Sequence, residues 1–238
     1  MNTYRKTAII VGVLFITATV TSILSSVFLG STLNAPISLI TFNANEPSVM
    51  IAVILELIAA LSAFGTAVFM YPILKKSVES LAIAYVGLRL LENAFYILGI
   101  VSLIVLLTLS KEYTGAINAS YQPLSNIIIV LHDWALLFGT VIIFGIGSIT
   151  LNYVLYQSKL IPRWLSAWGL IGAALVLLYG FVGMYKLDPN MISSILTVLA
   201  LSIAVQEMVF AVWLIIKGFN PKIIKISNNY RECESKVV

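Results

Sequence analysis

Six stretches of this chain run for about 20 residues or more with almost no charge, the length of helix that crosses a hydrocarbon layer about 30 Å thick. Polar and helix-breaking residues punctuate them. Asn34, Pro36, Asn43, Asn45, Glu46 and Pro47 follow the first run, and Lys75 and Lys76 close the second. Lys111 to Pro123 separates third from fourth, Lys159 to Arg163 follows the fourth, and Asp188-Pro189-Asn190 turns into the sixth. The pattern predicts an all-α integral membrane protein, a six-helix transmembrane bundle with helices at about 7–30, 48–74, 79–109, 123–157, 163–185 and 191–217. These form one domain over 1–219, and a basic tail occupies 220–238. The basic start from Met1 to Lys6 looks like a signal peptide, but the apolar run to about Leu29 exceeds the roughly 7 to 15 residues typical of one. A retained first helix is expected.

Composition agrees. The chain is 60% hydrophobic and 10% charged, with a mean hydropathy of +1.02, whereas soluble domains carry roughly 25% charged residues. The lipid bilayer is therefore the expected partner. A net charge of +4 raises the question of nucleic acid, but the basic residues sit at helix ends and form no stripe with interleaved aromatics, so nucleic acid is not expected. They act instead as a topology signal, because cytoplasmic loops of membrane proteins hold the excess of Lys and Arg. An inside N-terminus puts Arg5, Lys6, Lys75, Lys76, Lys159, Arg163 and Lys217 on the cytoplasmic face, with Lys222, Lys225, Arg231 and Lys236 of the tail. Only Lys111 and Lys186 then lie outside, and Arg89 lies within the membrane. Both termini are thus expected in the cytoplasm, and the protein in the plasma membrane.

Ionisable side chains inside a bilayer carry insertion penalties of about 2.5 to 3.5 kcal/mol at a helix centre, so each needs a partner or a task. Six stand out: Glu56, Arg89, Glu92, His132, Asp133 and Glu207. A rise of about 1.5 Å per residue from the cytoplasmic ends puts Arg89, Glu92 and Glu207 about 15 to 20 Å deep, at the midplane. Glu56, His132 and Asp133 fall near the outer boundary. In the third helix Tyr85, Arg89, Glu92, Asn93 and Tyr96 share about one third of the circumference and make a polar seam facing the bundle. Arg89 can bond Glu92 at i,i+3, and Glu207 can serve as the second carboxylate of an Arg-centred network. Two carboxylates facing one guanidinium favour a shared proton or a bound cation. The bland alternative is that the network only holds the third and sixth helices in register.

His132-Asp133 suits proton exchange or hydrogen bonding at the entrance. A metal centre is not expected, since the chain has one histidine and its one cysteine, Cys233, lies in the tail. No cofactor is implied. Signatures of nucleophilic hydrolases, phosphate-binding loops and dinucleotide loops do not occur, so whether the chain is an enzyme stays open. Asn118-Ala119-Ser120 matches a glycosylation acceptor that matters only in a eukaryotic secretory pathway. Gly169, Gly172, Ala173, Gly180 and Gly183 share one face of the fifth helix, a surface for close packing and for a homo-oligomer.

Several of these residues carry a family resemblance. Leu131-His132-Asp133-Trp134 running on to Gly139, Tyr153 to Ser158 followed by Ile161-Pro162-Arg163, Gly87-Leu88-Arg89-Leu90-Leu91-Glu92, and Gln206-Glu207 leading to Trp213 through Phe219 resemble the bacterial membrane proteins of domain of unknown function 4386. The likeness spans nearly the whole chain. It implies a multi-pass prokaryotic membrane protein in which Arg89, Glu92, His132, Asp133, Pro162 and Glu207 fall on recurring positions, and it implies no activity. Thr140 departs from a proline common after the glycine, which predicts a straighter fourth helix, and Asn93 replaces a small residue. The resulting expectation is a bundle with a polar interior, open toward the outer side and formed by the second, third, fourth and sixth helices. It would bind a small ligand or couple to protons through Arg89, Glu92 and Glu207, with His132-Asp133 controlling entry. The rivals are a structural, sensory or interaction protein, and a membrane enzyme using His132 with Asp133 or Glu56 as base.

Overall fold

With no water to hydrogen-bond an exposed backbone in a bilayer, a spanning chain must satisfy its peptide groups internally, and a helix does so within one segment. The computed structural model describes residues 3–33, 39–112, 121–184 and 189–221, and among them no strand occurs. The elements are α1 (Thr3–Leu29) with a 3₁₀ turn (Gly30–Leu33), α2 (Leu39–Ala44), α3 (Glu46–Leu74) and α4 (Glu79–Glu112). There follow α5 (Tyr121–Leu136), a π-helical segment (Leu137–Ile143), α6 (Phe144–Ser158), α7 (Arg163–Gly183) and α8 (Pro189–Ile216). Among the described residues five helical spans are long and apolar enough to cross a membrane: Tyr4–Leu29, Glu46–Leu74, Glu79–Glu112, Gln122–Ser158 and Arg163–Val182. In α8 the described residues contain a shorter apolar stretch, Leu201–Ile216. The chain is a multi-pass helical membrane protein, and large apolar side chains such as Val27, Leu61, Ile127, Ile171 and Leu178 point outward accordingly.

Helix boundaries follow local chemistry. Pro47 sits in the first turn of α3, where its missing N–H is no loss, and Pro162 precedes α7 with φ −57°. Lys159 ends α6 in the left-handed conformation, φ 57°, its N–H bonded to the Leu155 carbonyl. Two features differ from the sequence expectation. The stretch before Pro47 contains α2, whose Leu39 and Phe42 are buried. The fourth span is not a uniform α-helix either, because Leu137–Ile143 winds as a π-helix. Here Gly139 lies so close to α4 that a Cβ built on it would stand 2.7 Å from Phe95 Cβ.

The rods close into a ring. α1 packs on α3, α3 on α4, α4 on α5 and α6, α6 on α7, α7 on α8, and α8 back on α1. Gly12 seals the last seam, since a Cβ there would lie 2.7 Å from the Ala211 carbonyl oxygen. Arg5 completes it by donating to the carbonyls of Leu214, Ile215 and Ile216 at 3.1, 2.5 and 3.2 Å, so a cation caps the negative end of α8. The glycine face of α7 is also taken up inside the chain. Gly172 faces Ile203, Gly180 faces Val141, and Gly169 faces the Asn152 amide, while the surroundings of Gly183 lie outside the described residues.

Two large apolar cores and a smaller third one, of Val141, Ala173, Val176 and Ile203, lie along the ring. Phe15, Met70, Leu74, Tyr85, Leu155 and Leu214 belong to the large core beside the Lys75 turn, called the near end. Leu39, Phe42, Val49, Leu103 and Leu106 belong to the other large core, at the far end, where an exposed Glu46–Lys111 pair joins α3 to α4. Between the two large cores, Val141, Val176 and Ile203 of the third border the same space as the polar groups.

Candidate functional site

Between the cores lies a cavity of about 760 Å³. Arg89 and Glu92 enter it from α4, Glu56 from α3, Glu207 from α8, and Thr140 and Phe144 from the fourth span. The charged residues predicted at the midplane therefore face a common space. Val176 of α7 and a set of α1 residues complete the wall, so the cavity is built by more helices than the four expected. The first helix, which the sequence left without a role, supplies Thr19 and Ser22 to it.

Arg89 is held on four sides. Its Nη1 donates to both Glu92 oxygens, at 3.0 and 3.1 Å, and its Nε donates to the Tyr85 hydroxyl at 3.2 Å. The guanidinium lies 5.5 Å from the centre of the Tyr85 ring and 5.4 Å from that of Phe144. Tyr85 in turn meets Thr66 at 3.5 Å. Arg89 and Glu92 are 4% and 5% exposed, a burial that an ion pair tolerates only with such saturation of hydrogen bonds. Of the α4 seam, Arg89, Glu92 and Tyr96 line the cavity, whereas Tyr85 and Asn93 are buried without lining it.

Glu207 is placed differently from the expectation. It shares the cavity and acts electrostatically on Arg89, yet among the described residues Arg89 pairs only with Glu92. The one hydrogen bond described for Glu207 comes from Thr19, at 3.4 Å to Oε2. Two further hydroxyls of α1 repeat this arrangement. Ser22 meets the Tyr96 hydroxyl at 3.2 Å, and Ser25 donates to Glu56 Oε1 at 3.2 Å. Thr19, Ser22 and Ser25 follow at intervals of three, which keeps them on adjoining sectors of one helix. That spacing was the available signal for them. Each reaches a different helix: α8, α4 and α3.

The wall therefore presents three carboxylates, Glu56, Glu92 and Glu207, against one guanidinium. A carboxylate in a low-dielectric wall demands a counter-charge or a proton, and among the described residues only Glu92 has a basic partner bonded to it. Hydroxyl donors and apolar surfaces such as Phe15 and Phe144 fill the intervals. Among the described residues no three metal-ligating side chains of His, Cys, Asp and Glu stand together.

His132 and Asp133 lie apart from this cavity wall. His132 is 4% exposed, its ring against α4 where Gly99 carries no side chain, and its Nδ1 lies 3.3 Å from Asp133 Oδ1. The Asp133 carboxylate points outward, 69% exposed. The basic tail beyond residue 221, Cys233, Asn118 and Lys186 lie outside the described residues.

No curated protein and no solved structure matches the chain. The family model described as Domain of unknown function (DUF4386) matches residues 10–218, nearly the whole of the described helices. A ring of apolar helices around an Arg–Glu cavity, with the motifs of the third, fourth and last spans in place, accords with that match: the chain belongs to the DUF4386 family.

Proposed function

We propose that this chain is a six-span protein of the bacterial plasma membrane, both termini cytoplasmic, that binds a small organic cation in exchange for a proton. Clustering of Lys and Arg at one end of the helices supports the orientation. One observation carries the functional reading: Arg89, Glu92, Glu56 and Glu207 line a common cavity of about 760 Å³ instead of packing into a dry core. That volume lies within the range of pockets that hold drug-sized ligands. Its charge selects the ligand, because with Glu92 neutralised by Arg89, Glu207 retains a hydroxyl donor and, among the described residues, no bonded cation. A proton and a cationic ligand therefore compete for Glu207, while the aromatic and aliphatic wall favours a ligand with an apolar body. A purely structural ion network has no use for a ligand-sized space beside it.

The test uses the full chain in detergent with tetraphenylphosphonium as probe, measured by equilibrium dialysis and by proton release in weakly buffered solution. Saturable binding with about one proton released per cation is expected, and Glu207→Gln should lose both. Triphenylphosphine oxide, neutral and of similar bulk, should bind at least about tenfold more weakly, since a buried charge pair contributes well over the 1.4 kcal/mol that a factor of ten requires. Equal binding of the neutral compound, or unchanged proton release in Glu207→Gln, overturns the reading.

A further inference from the structure

The near end of the helices carries a second cavity, of about 560 Å³, apart from the one that holds Glu207. Three cations border it: Lys159 at the end of α6, Arg163 at the start of α7 and Lys217 just past the end of α8. Among the described residues no acidic side chain lines it, and none of the three cations is ion-paired. Arg5, Lys75 and Lys76 of the same end are engaged elsewhere within the chain. Arg5 caps the carbonyls of α8, Lys75 lies 5.3 Å from the centre of the Tyr71 ring, and Lys76 lies 4.6 Å from that of Tyr4. Like charges gathered on one concave surface repel one another and concentrate anions there.

The walls of this cleft are tied together by the backbone. Gly218, φ 74°, turns the chain out of α8 so that Phe219 is buried and the Asn220 N–H bonds the Leu160 carbonyl at 2.9 Å. That bond joins the exit of α8 to the turn between α6 and α7, and the cavity lies along the junction. Lys159 is the one non-glycine residue with positive φ among the described residues, at a helix-end position where glycine is the ordinary choice. A cation thus stands where the backbone alone would favour no side chain at all. Arg163 is also placed against the local backbone preference. It begins α7, which has no acidic residue in its first turn and no side-chain cap, whereas the positive end of a helix dipole favours an anion. Its guanidinium, 5.3 Å from the centre of the Tyr156 ring, suits a phosphate, which it can grip with two parallel N–H groups.

The surroundings select the form of the anion. Trp213 and Phe219 line the cavity beside the cations. Outside it, Trp164 and Ile216, next in sequence to Arg163 and Lys217, are 55% and 63% exposed. Cations and tryptophan at the end of apolar spans stand at the level of lipid headgroups, and a free phosphate gains nothing from the apolar flank. We infer that the cleft is a phosphate-binding site filled by the headgroup of an anionic phospholipid, whose acyl chains lie along the exposed apolar faces of α7 and α8. Basic recesses between spans suit such headgroups, because each cation near the membrane surface adds to the attraction. The site is separate from the Glu207 cavity and does not rest on the ligand reading above.

The full-length protein in a non-ionic detergent, titrated with dioctanoylphosphatidylglycerol and followed by native mass spectrometry, tests the site. One lipid should be retained per chain, at least about tenfold more tightly than dioctanoylphosphatidylcholine, whose choline group opposes the cations. Each of Lys159→Gln, Arg163→Gln and Lys217→Gln should weaken retention about fivefold, the worth of one well-placed cation. All three side chains are exposed, so far-UV circular dichroism should show the helices of these variants intact. Lys6→Gln/Lys75→Gln removes the same charge as Lys159→Gln/Lys217→Gln but away from the cleft, and should leave retention unchanged. Equal retention of the two lipids, or an equal loss in the two double variants, would mean that the cations only orient the chain, and overturns the site. Displacement of the lipid by inorganic phosphate at equal concentration overturns the lipid as the source and assigns a free phosphate to the same cations.

Discussion

Replacing Arg89 and Glu92 singly and together tests the geometry of the cavity most directly. Arg89 makes two bonds to Glu92 and one to Tyr85, all buried. Removing one partner of a buried pair leaves an uncompensated charge and costs about 3 to 5 kcal/mol. Arg89→Met should reach the upper end, since it leaves Glu92 and Glu207 facing each other across the cavity without a cation. Glu92→Leu should lie at the lower end, because Glu207 shares the cavity with the stranded guanidinium. The double variant Arg89→Met/Glu92→Leu removes both charges and forfeits chiefly the bond to Tyr85, about 0.5 to 1.5 kcal/mol. It should therefore be more stable than either single variant, with a coupling of at least about 4 kcal/mol in the double-mutant cycle. Reversible unfolding in mixed detergent micelles, followed by far-UV circular dichroism, measures all four proteins. Additive losses, with the double variant the least stable, would refute the ion pair as the organising contact of the cavity.

Two smaller predictions concern packing and surface. Gly12→Ala puts a Cβ 2.7 Å from the Ala211 carbonyl and should destabilise by about 1 to 3 kcal/mol, whereas Gly87→Ala meets nothing within 4 Å and should gain up to about 1 kcal/mol from helix propensity; thermal unfolding in detergent compares them. Lys111→Ala breaks an exposed ion pair with Glu46 and should shift stability by less than about 1 kcal/mol in the same assay, and a larger loss would mean that the far end depends on that contact.

What the sequence disclosed about this site divides along a physical line. Arg89 and Glu92 were legible because an i,i+3 pair is fixed by helix geometry alone, and Glu207 because depth follows from counting residues. Contacts between helices were not. Thr19, Ser22 and Ser25 look no different in the sequence from Thr17 and Thr21, whose hydroxyls bond back to their own helix. Only the ring arrangement decides which of these hydroxyls turn inward. The π-helical segment was equally hidden, since Leu137–Ile143 reads as an ordinary apolar run and the close approach of its Gly139 to Phe95 is made with another helix. Asn93 sits next to Glu92 in the seam, yet a turn of about 100° removes it from the cavity.

That the Arg89–Glu92 pair lies within one helix also bears on how the protein is made. Chains emerge from the ribosome N-terminus first, so α4 enters the membrane while α8 and its Glu207 do not yet exist. A lone arginine or glutamate would oppose that entry. Three residues apart, the two neutralise each other as soon as α4 has formed its first turns, and the helix crosses as a nearly uncharged body. Glu207 arrives last, on a helix whose described residues offer it no cation, and it settles where the Thr19 hydroxyl donor and the field of Arg89 are already waiting. The order of synthesis thus matches the order in which charge can be accommodated.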